Sequence, residues 1–148
     1  MIKLIAFLLI FLSSAAAQDY KAVFDCSSSD ARFILSRMNL VEKTMMMIEK
    51  NGDTPIFALT LHGGCVPIVS KEYAEVTDDT EIIYIKKAQE VLIRLSKKEN
   101  IEIVACEMSL EANGLEKEDV LRFVRISENS FIDTIKYQNN AYAIMTFK

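Results

Sequence analysis

Apolar residues are grouped in two ways along this chain, and the two groupings alternate from residue 20 onward. Short, nearly continuous apolar runs between polar or turn-forming residues are typical of β-strands. Apolar residues that recur every three or four positions indicate one face of a helix. The short runs predict five strands, at residues 20–26, 54–61, 101–106, 123–127 and 141–147.

Three longer stretches between these runs have the helical pattern. In the first stretch the apolar residues fall on one helical face: Ile34, Met38, Val41, Met45 and Ile48. The polar run that ends at Asp30 offers an N-cap for this helix. Two more helices are predicted at residues 80–99 and 128–138, the latter with Ser127 as its N-cap. Residues 66–78 are predicted to form a loop with at most one helical turn.

The alternation of strands and helices predicts a single α/β domain. Its expected architecture is a three-layer α/β/α sandwich with a mostly parallel five-stranded sheet, as in flavodoxin-like folds. The apolar runs at 56–61 and 141–147 are predicted to be strands buried on both faces. The pattern does not fix the strand order. An α+β fold with the fifth strand antiparallel at an edge is the alternative.

The first 17 residues have the layout of a secretory signal peptide. Lys3 is followed by the apolar run Leu4 to Leu12, and Ala15 and Ala17 form an Ala-x-Ala cleavage pattern. An uncleaved membrane anchor is the alternative, but the run is short for a bilayer span. We expect cleavage after Ala17 and an exported protein, periplasmic or secreted, whose domain occupies residues 18–148.

The charge of the chain argues against two classes of partner. The formal net charge is −4 and the basic residues form no cluster. An acidic chain of this kind is a poor ligand for nucleic acid or for an anionic membrane surface. We therefore expect no nucleic-acid partner and no membrane insertion after cleavage of the signal.

Reactive side chains follow the first three predicted strands. Cys26 ends the first strand, His62 and Cys65 follow the second, and Cys106 ends the third. The carboxyl ends of parallel strands meet at one edge of a sheet, where ligands and catalytic groups collect. The sequence thus predicts that all four side chains lie near this edge. His62 is the one histidine of the chain.

The state of the three cysteines is left open by the sequence. An odd number in an oxidising compartment leaves at least one thiol outside any internal pair. Each cysteine could also fill the core, and cysteines on adjacent strands could form a disulfide. Cys106 precedes a helix start whose N–H groups would stabilise a thiolate. The charges of Glu107 and Glu111 would oppose that effect.

The motif His62-Gly-Gly-Cys65 allows several interpretations. His62 and Cys65 could bind a metal, but two ligands do not make a site and we expect no metal. Gly63 and Gly64 could let backbone N–H groups approach an anion, although no lysine follows as in a P-loop. His62 could act as a base for a nearby thiol or be a loop histidine bonded to the backbone.

Three segments of the chain resemble the DsrE/DsrF-like family, and in particular its small exported members. These segments are VACEMSLEANGLEKEDVL around Cys106, LTLHGG after the second strand, and FVRISENSFIDTIKYQNNAYAIM near the end. The most specific part is Cys106 followed by Leu110 and the turn Asn113-Gly114. The pair His62-Gly63 also matches a His-Gly common in the family.

The resemblance implies a five-stranded parallel fold that assembles as trimers or hexamers. It also implies that Cys106 carries sulfur as a persulfide, as in intracellular sulfur-relay members, without a cofactor. The supporting site residues would be His62, Gly63, Gly64, Cys65, Cys26 and Asn113. This chain departs from those members because it is predicted to be exported and has two further cysteines. Cys65 would be a resolving thiol or a disulfide partner.

Three functional hypotheses follow from the sequence. The first is a persulfide-handling carrier that acts through Cys106, with a small sulfur species or a partner protein as donor and acceptor. The second is a non-catalytic, oligomeric binding module with buried or disulfide-bonded cysteines. The third, ranked last because the chain lacks a Cys-x-x-Cys motif, is a thiol–disulfide redox protein.

Overall fold

The fold is a five-stranded, all-parallel sheet with helices on both faces, described here by a computed structural model for residues 17–147. The strands are β1 (Asp19–Cys26), β2 (Thr54–Leu61), β3 (Ile101–Cys106), β4 (Arg125–Ser127) and β5 (Ala143–Phe147). The helices are α1 (Ala31–Lys50), α2 (Ile82–Leu95), α3 (Glu107–Ala112) and α4 (Ser130–Asn139). The predicted α/β class is confirmed.

The strand order is β4-β3-β2-β1-β5, which explains how the helices are distributed. The chain moves outward from β1 to β4, and the connections between these strands pack on one face of the sheet. The last connection, through α4, crosses the other face from β4 back to β5. Since β5 pairs with β1 in parallel, the alternative with an antiparallel fifth strand is wrong.

The main core lies between the sheet and the layer formed by α1 and α2. Alternate residues of β1 point into it, namely Ala22, Phe24 and Cys26. The predicted stripe of α1 supplies Ile34, Met38, Val41 and Met45, all essentially inaccessible to solvent. Ile48, also predicted in this stripe, packs against the core but is partly exposed.

The opposite face carries α4 and has a much smaller apolar core of Val23, Ala58 and Tyr137. A polar network reinforces this layer. Tyr137 donates its hydroxyl to Glu102 on β3 over 2.6 Å. Arg125 on β4 bridges Glu102, at 2.6 Å, and Asp133 of α4, at 2.8 Å. Because each polar group has a charged partner, the network fixes α4 against the sheet.

Local sequence signals explain how the helices begin and end. Asp30 caps α1, since its carboxylate accepts hydrogen bonds from the backbone N–H groups of Arg32 and Phe33. Gly52 has a φ of +84° just after α1, a conformation that glycine adopts readily. The cap predicted for α4 is wrong. Asn129 rather than Ser127 accepts the hydrogen bond from the N–H of Phe131.

Two other expectations about local structure need correction. The stretch 66–78 contains more helical turns than predicted, in short 3-10 helices at Gly63–Val69 and Tyr73–Glu75. The run 141–147 is not buried on both faces, because β5 is an edge strand exposed along most of its length. An apolar run does not reveal whether the folded chain covers it.

The predicted signal peptide lies outside the described residues except for Ala17. Its cleavage and the exported state therefore stay predictions. Within residues 17–147, none of the helices has the length and apolar character needed to cross a bilayer.

Candidate functional site

The candidate site is centred on Cys106, the one cysteine of residues 17–147 outside a disulfide. Cys106 ends β3 and is also the N-cap residue of α3. Because Ala105 packs into the main core, the Cys106 side chain points to the opposite face, where α4 begins. It is 5% exposed, in a pocket of about 170 Å³ that also contains Ser109, Ser130 and His62.

The Cys106 thiol lies beside polar groups from the first turns of two helices. Burial raises the pKa of the thiol, while the N–H and hydroxyl groups of Ser130, at the start of α4, and of Ser109, in α3, lower it. The net pKa lies below that of an ordinary cysteine. The start of α4 contributes to this direction as well as that of α3.

The carboxylate beside Cys106 has a counterion. Glu107, in the first turn of α3, forms an ion pair with Lys117. The contact with Glu107 is the main cause of the raised pKa of Lys117, and the charge of Glu111 raises that pKa further. The acidic side chains that would oppose a thiolate are thus partly neutralised by Lys117. The net effect at Cys106 is a lowered pKa.

His62 is held by an aspartate that sequence reasoning missed. The Nε2 of His62 lies 3.1 Å from Asp25 Oδ1, at the carboxyl end of β1. Thr60 of β2 donates its hydroxyl to the same oxygen over 2.7 Å. The ring of Phe131 packs edge-on against the imidazole, 5.6 Å from it. His62 is therefore fixed in orientation within the pocket that contains Cys106.

The contact with Asp25 also determines which nitrogen of His62 exchanges a proton. An ionised carboxylate only accepts hydrogen bonds, so Nε2 carries a hydrogen and Nδ1 gains or loses the second proton. The hydrogen bond to Asp25 raises the pKa of His62, burial opposes it, and the charges of Asp25 and Cys106 raise it further. A negative charge on Cys106 thus favours the charged form of His62.

Gly63, Gly64 and Asn113 build the loop beside the site. Gly64 packs so closely on Ser29 that an added Cβ would lie 2.6 Å from the serine Cβ. The N–H of Gly63 donates to the Ser109 hydroxyl over 2.9 Å, and that of Gly64 donates to a backbone carbonyl. These N–H groups have protein partners, so the loop does not form the anion cradle considered from sequence. Asn113 donates to the carbonyl oxygens of Gly63 and Ser109, which ties α3 to this loop.

Cys26 and Cys65 form a disulfide away from the Cys106 pocket. Both are fully buried in the main core, on the face of the sheet opposite to the Cys106 side chain. Cys65 is therefore a disulfide partner of Cys26, and the alternative of a resolving thiol for Cys106 lacks the required proximity. His62 and Cys65 likewise do not share a site. Within residues 17–147, no three His, Cys, Asp or Glu side chains cluster as a metal site requires.

The structure thus brings Cys106, His62, Gly63 and Asn113 together and separates them from Cys26 and Cys65. Gly64 supports the loop rather than the pocket. The residues missed from sequence are Asp25, Thr60, Ser109 and Ser130, which surround His62 and Cys106. Ser109 could have been found, because a hydroxyl three residues after Cys106 falls in the same first helical turn. The positions of Asp25 and Ser130 beside the site depend on the strand order and on which face of the sheet α4 covers, both of which the sequence left open.

Apolar side chains surround the opening of the pocket. Met108 and Phe131, both lining it, are 61% and 60% exposed. Ile132 and Ile135 continue this surface along α4 and are about as exposed, at 49% and 60%. The four residues are called the pocket rim below.

A parallel α/β sheet with one free thiol at the start of two helices defines a class of cysteine-centred α/β proteins. The chain matches the model of the DsrE/DsrF-like family over residues 11–147 and belongs to this family. The resemblance to the DsrE/DsrF-like family that the sequence indicated is therefore confirmed for the family as a whole. The identity of the exported subgroup stays a prediction.

Two further similarities agree with this assignment. An uncharacterized protein of Aquifex aeolicus (strain VF5) is 30% identical over 131 residues, which are 88% of this chain and 57% of that protein. The chain thus spans little more than half the length of this relative. A solved structure of a protein of unknown function from Methanobacterium thermoautotrophicum matches with a TM-score of 0.64 and 14% identity, over 88% of this chain and 99% of that one. At that identity the similarity shows the fold.

Proposed function

We propose that this protein is an exported sulfur carrier that holds sulfur as a persulfide on Cys106. The observation that carries the proposal is the free thiol in a pocket between the first turns of α3 and α4, where the polar groups of Ser109 and Ser130 lower its pKa. Thiolate is the reactive form of cysteine, and helix N-termini stabilise anionic sulfur. Membership of a family associated with sulfur relay supports the same function.

Loading requires only a sulfane-sulfur donor. The Cys106 thiolate attacks the terminal sulfur of a polysulfide or persulfide, a new S–S bond forms on Cys106, and the donor S–S bond breaks. The remainder leaves as a thiolate or as a polysulfide anion shortened by one sulfur. The polar groups of Ser109 and Ser130, which lower the thiol pKa, favour Cys106 as the attacking anion. The step needs no metal and no cofactor.

Discharge is the reverse type of exchange. The thiolate of an acceptor attacks the outer sulfur of the persulfide, and Cys106 leaves as a thiolate. The lowered pKa makes Cys106 a good leaving group. His62, held by Asp25, lines the same pocket, where a protonated imidazole would favour the departing thiolate. This chemistry would make the protein a carrier or transferase rather than a hydrolase or an oxidoreductase.

The proposed location is outside the cytoplasm, in the periplasm or the secreted fraction. The layout of residues 1–17 supports it. The Cys26–Cys65 disulfide supports it as well, because structural disulfides persist mainly in oxidising compartments.

The proposed partners are further copies of the chain and a protein or small molecule that exchanges sulfur. Trimers or hexamers are proposed because the family resemblance implies them. The exposed pocket rim supports a docking protein, since an apolar surface beside a reactive thiol suits transient contact.

The alternative function is a non-catalytic, oligomeric binding module. The observation that favours it is the 5% exposure of Cys106, which limits the access of any large reagent. A redox function for Cys26 and Cys65 has less support, since both are fully buried. The alternative predicts that Cys106 resists alkylation in the native protein and takes up no sulfur.

The experiment that tests the carrier function is discharge of the loaded protein. The mature protein is incubated with polysulfide, freed of excess reagent and treated with cyanide, which removes sulfane sulfur as thiocyanate. We expect one thiocyanate per chain, lost in Cys106→Ser and kept in the Cys26→Ala/Cys65→Ala double variant. Equal thiocyanate from wild type and Cys106→Ser would exclude Cys106 as the carrier.

A further inference from the structure

A groove on the other side of the molecule has no role in the proposed sulfur chemistry. It lies between α1 and β5 and is called the α1–β5 groove. It arises because β5 extends the sheet past α1, and no described helix follows β5 to cover it. Its volume is about 680 Å³, which falls in the range of small-molecule sites.

The lining of the groove is mainly apolar. Phe24 and Phe57 lie at its base, while Leu40 and Met145 line it and are each 47% exposed. Lining of this kind would accept a hydrocarbon chain or an aromatic body. No aspartate or glutamate lines the groove.

The charged group available to a ligand in the groove is Arg37. Its guanidinium carbon lies 4.6 Å from the ring centroid of Phe33, one helical turn earlier on α1. Arg37 forms no ion pair with any residue of 17–147, and its Nε is buried without a hydrogen-bond partner there. Lys21 also borders the groove, but its ammonium lies over Tyr142, which packs on the opposite face of the sheet.

We propose that the α1–β5 groove binds an amphipathic anion, with its apolar body between α1 and β5 and its anionic head on Arg37. A guanidinium that borders an apolar groove and has no ion-pair partner among residues 17–147 favours a ligand that supplies a carboxylate, sulfonate or similar group. The absence of acidic side chains from the lining makes the groove selective against cationic amphiphiles. The occupant is a free small molecule of the fatty-acid type.

Dodecanoate, kept below its micelle concentration, is the probe for this site. Titration calorimetry should show saturable binding, with about one dodecanoate per chain and little binding of dodecyltrimethylammonium. Arg37→Gln should weaken binding about tenfold or more, the loss expected for one charge-assisted hydrogen bond. Ala143→Phe, which fills the groove from an exposed position on β5, should abolish it.

Arg32→Gln is the matched control. Arg32 is also on α1 and also stacks on an aromatic ring, that of Tyr84 at 4.7 Å, but it does not line the groove. This variant should bind dodecanoate as wild type does, and so should Cys106→Ser, which separates this site from the sulfur chemistry.

Three results would overturn the proposal. One is equal affinity of wild type and Arg37→Gln for dodecanoate. Another is equal binding of the cationic amphiphile, which would show that the groove recognises no charge. The third is a wild-type oligomer, seen by sedimentation, that Ala143→Phe dissociates and that binds no dodecanoate. In that case the groove is an interface between copies of the chain.

Discussion

At the scale of single residues, the chemistry of this protein depends on what surrounds one sulfur atom. Burial alone would keep Cys106 protonated and unreactive. The polar groups of Ser109 and Ser130 act against that effect and lower the thiol pKa, while the contact with Asp25 raises the pKa of His62. The two shifts run in opposite directions, and both increase the fraction of molecules in which thiolate and imidazolium coexist.

Substitution Ser109→Ala should raise the thiol pKa, because a hydroxyl that lowers it is removed. The rate of native alkylation measured against pH should then rise at higher pH than in wild type. Since Gly63 loses the acceptor of its N–H, stability should also fall by about 1–3 kcal/mol. Ser36→Ala, at an exposed position on α1, is the control. An alkylation midpoint unchanged in Ser109→Ala would refute the role of this hydroxyl.

Substitution Asp25→Asn should lower the pKa of His62, because the carboxylate that favours its charged form is removed. The chain has one histidine, so one imidazole signal in an NMR titration reports the shift. Asp53→Asn, near the amino end of β2, should leave the signal unchanged. A His62 pKa equal in wild type and Asp25→Asn would contradict the assignment.

The contact between Asp25 and His62 also makes the stability of the folded protein depend on pH. Folding raises the pKa of His62, so the folded protein binds the proton more tightly than the unfolded chain. The stabilisation is complete below the unfolded pKa of ~6.5 and is lost as pH rises through the folded value. Asp25→Asn should therefore reduce the free energy of unfolding more at about pH 5 than at about pH 8.

At the scale of elements, the site is formed where strand ends meet helix starts. The carboxyl ends of β1, β2 and β3 supply Asp25, Thr60 and Cys106, and α4 reaches the sulfur only because it crosses the second face of the sheet. The Glu102, Arg125 and Asp133 network holds α4 in that position. Placement of one helix thus couples a structural network to the reactivity of the thiol.

Two cap substitutions separate stability from reactivity. Asp30→Ala and Asn129→Ala each remove a side chain that accepts N–H groups at a helix start, and each should cost about 1 kcal/mol of stability. Only Asn129→Ala loosens the first turn of α4, where Ser130 lowers the thiol pKa of Cys106. It alone should raise the thiol pKa, measured by the pH dependence of alkylation. Equal thiol pKa values in the two variants would show that the cap of α4 does not affect Cys106.

The elements themselves were largely readable from the sequence, for a physical reason. Apolar periodicity records which face of each element is buried, so all five strands and the main helices were located within a few residues. This periodicity does not show which elements lie next to each other in the fold. The exposure of β5 and the Asp25–His62 contact depend on strand order, which no local pattern encodes.

At the scale of the whole molecule, the two faces of the sheet contain different features. The face covered by α1 and α2 contains the large core and the Cys26–Cys65 disulfide. The face covered by α4 contains the Cys106 pocket and its exposed rim. The Cys106 thiol and the disulfide thus lie on opposite faces of the sheet.

Removal of the disulfide should therefore affect stability and leave the site intact. The double variant Cys26→Ala/Cys65→Ala loses a cross-link between residues 39 positions apart and should be about 3–4 kcal/mol less stable to denaturant than wild type. The alkylation rate of Cys106 in the native protein should not change. Faster or slower alkylation of Cys106 in this variant would show that the two faces are coupled.

The most direct test of the central claim is the intact mass of the mature protein after incubation with polysulfide. Wild type is compared with Cys106→Ser and with the Cys26→Ala/Cys65→Ala double variant, each labelled with an alkylating agent under native conditions. The account predicts an adduct of one sulfur atom on wild type and on the double variant, and none on Cys106→Ser. An adduct that persists in Cys106→Ser, or no adduct on any form, would contradict it.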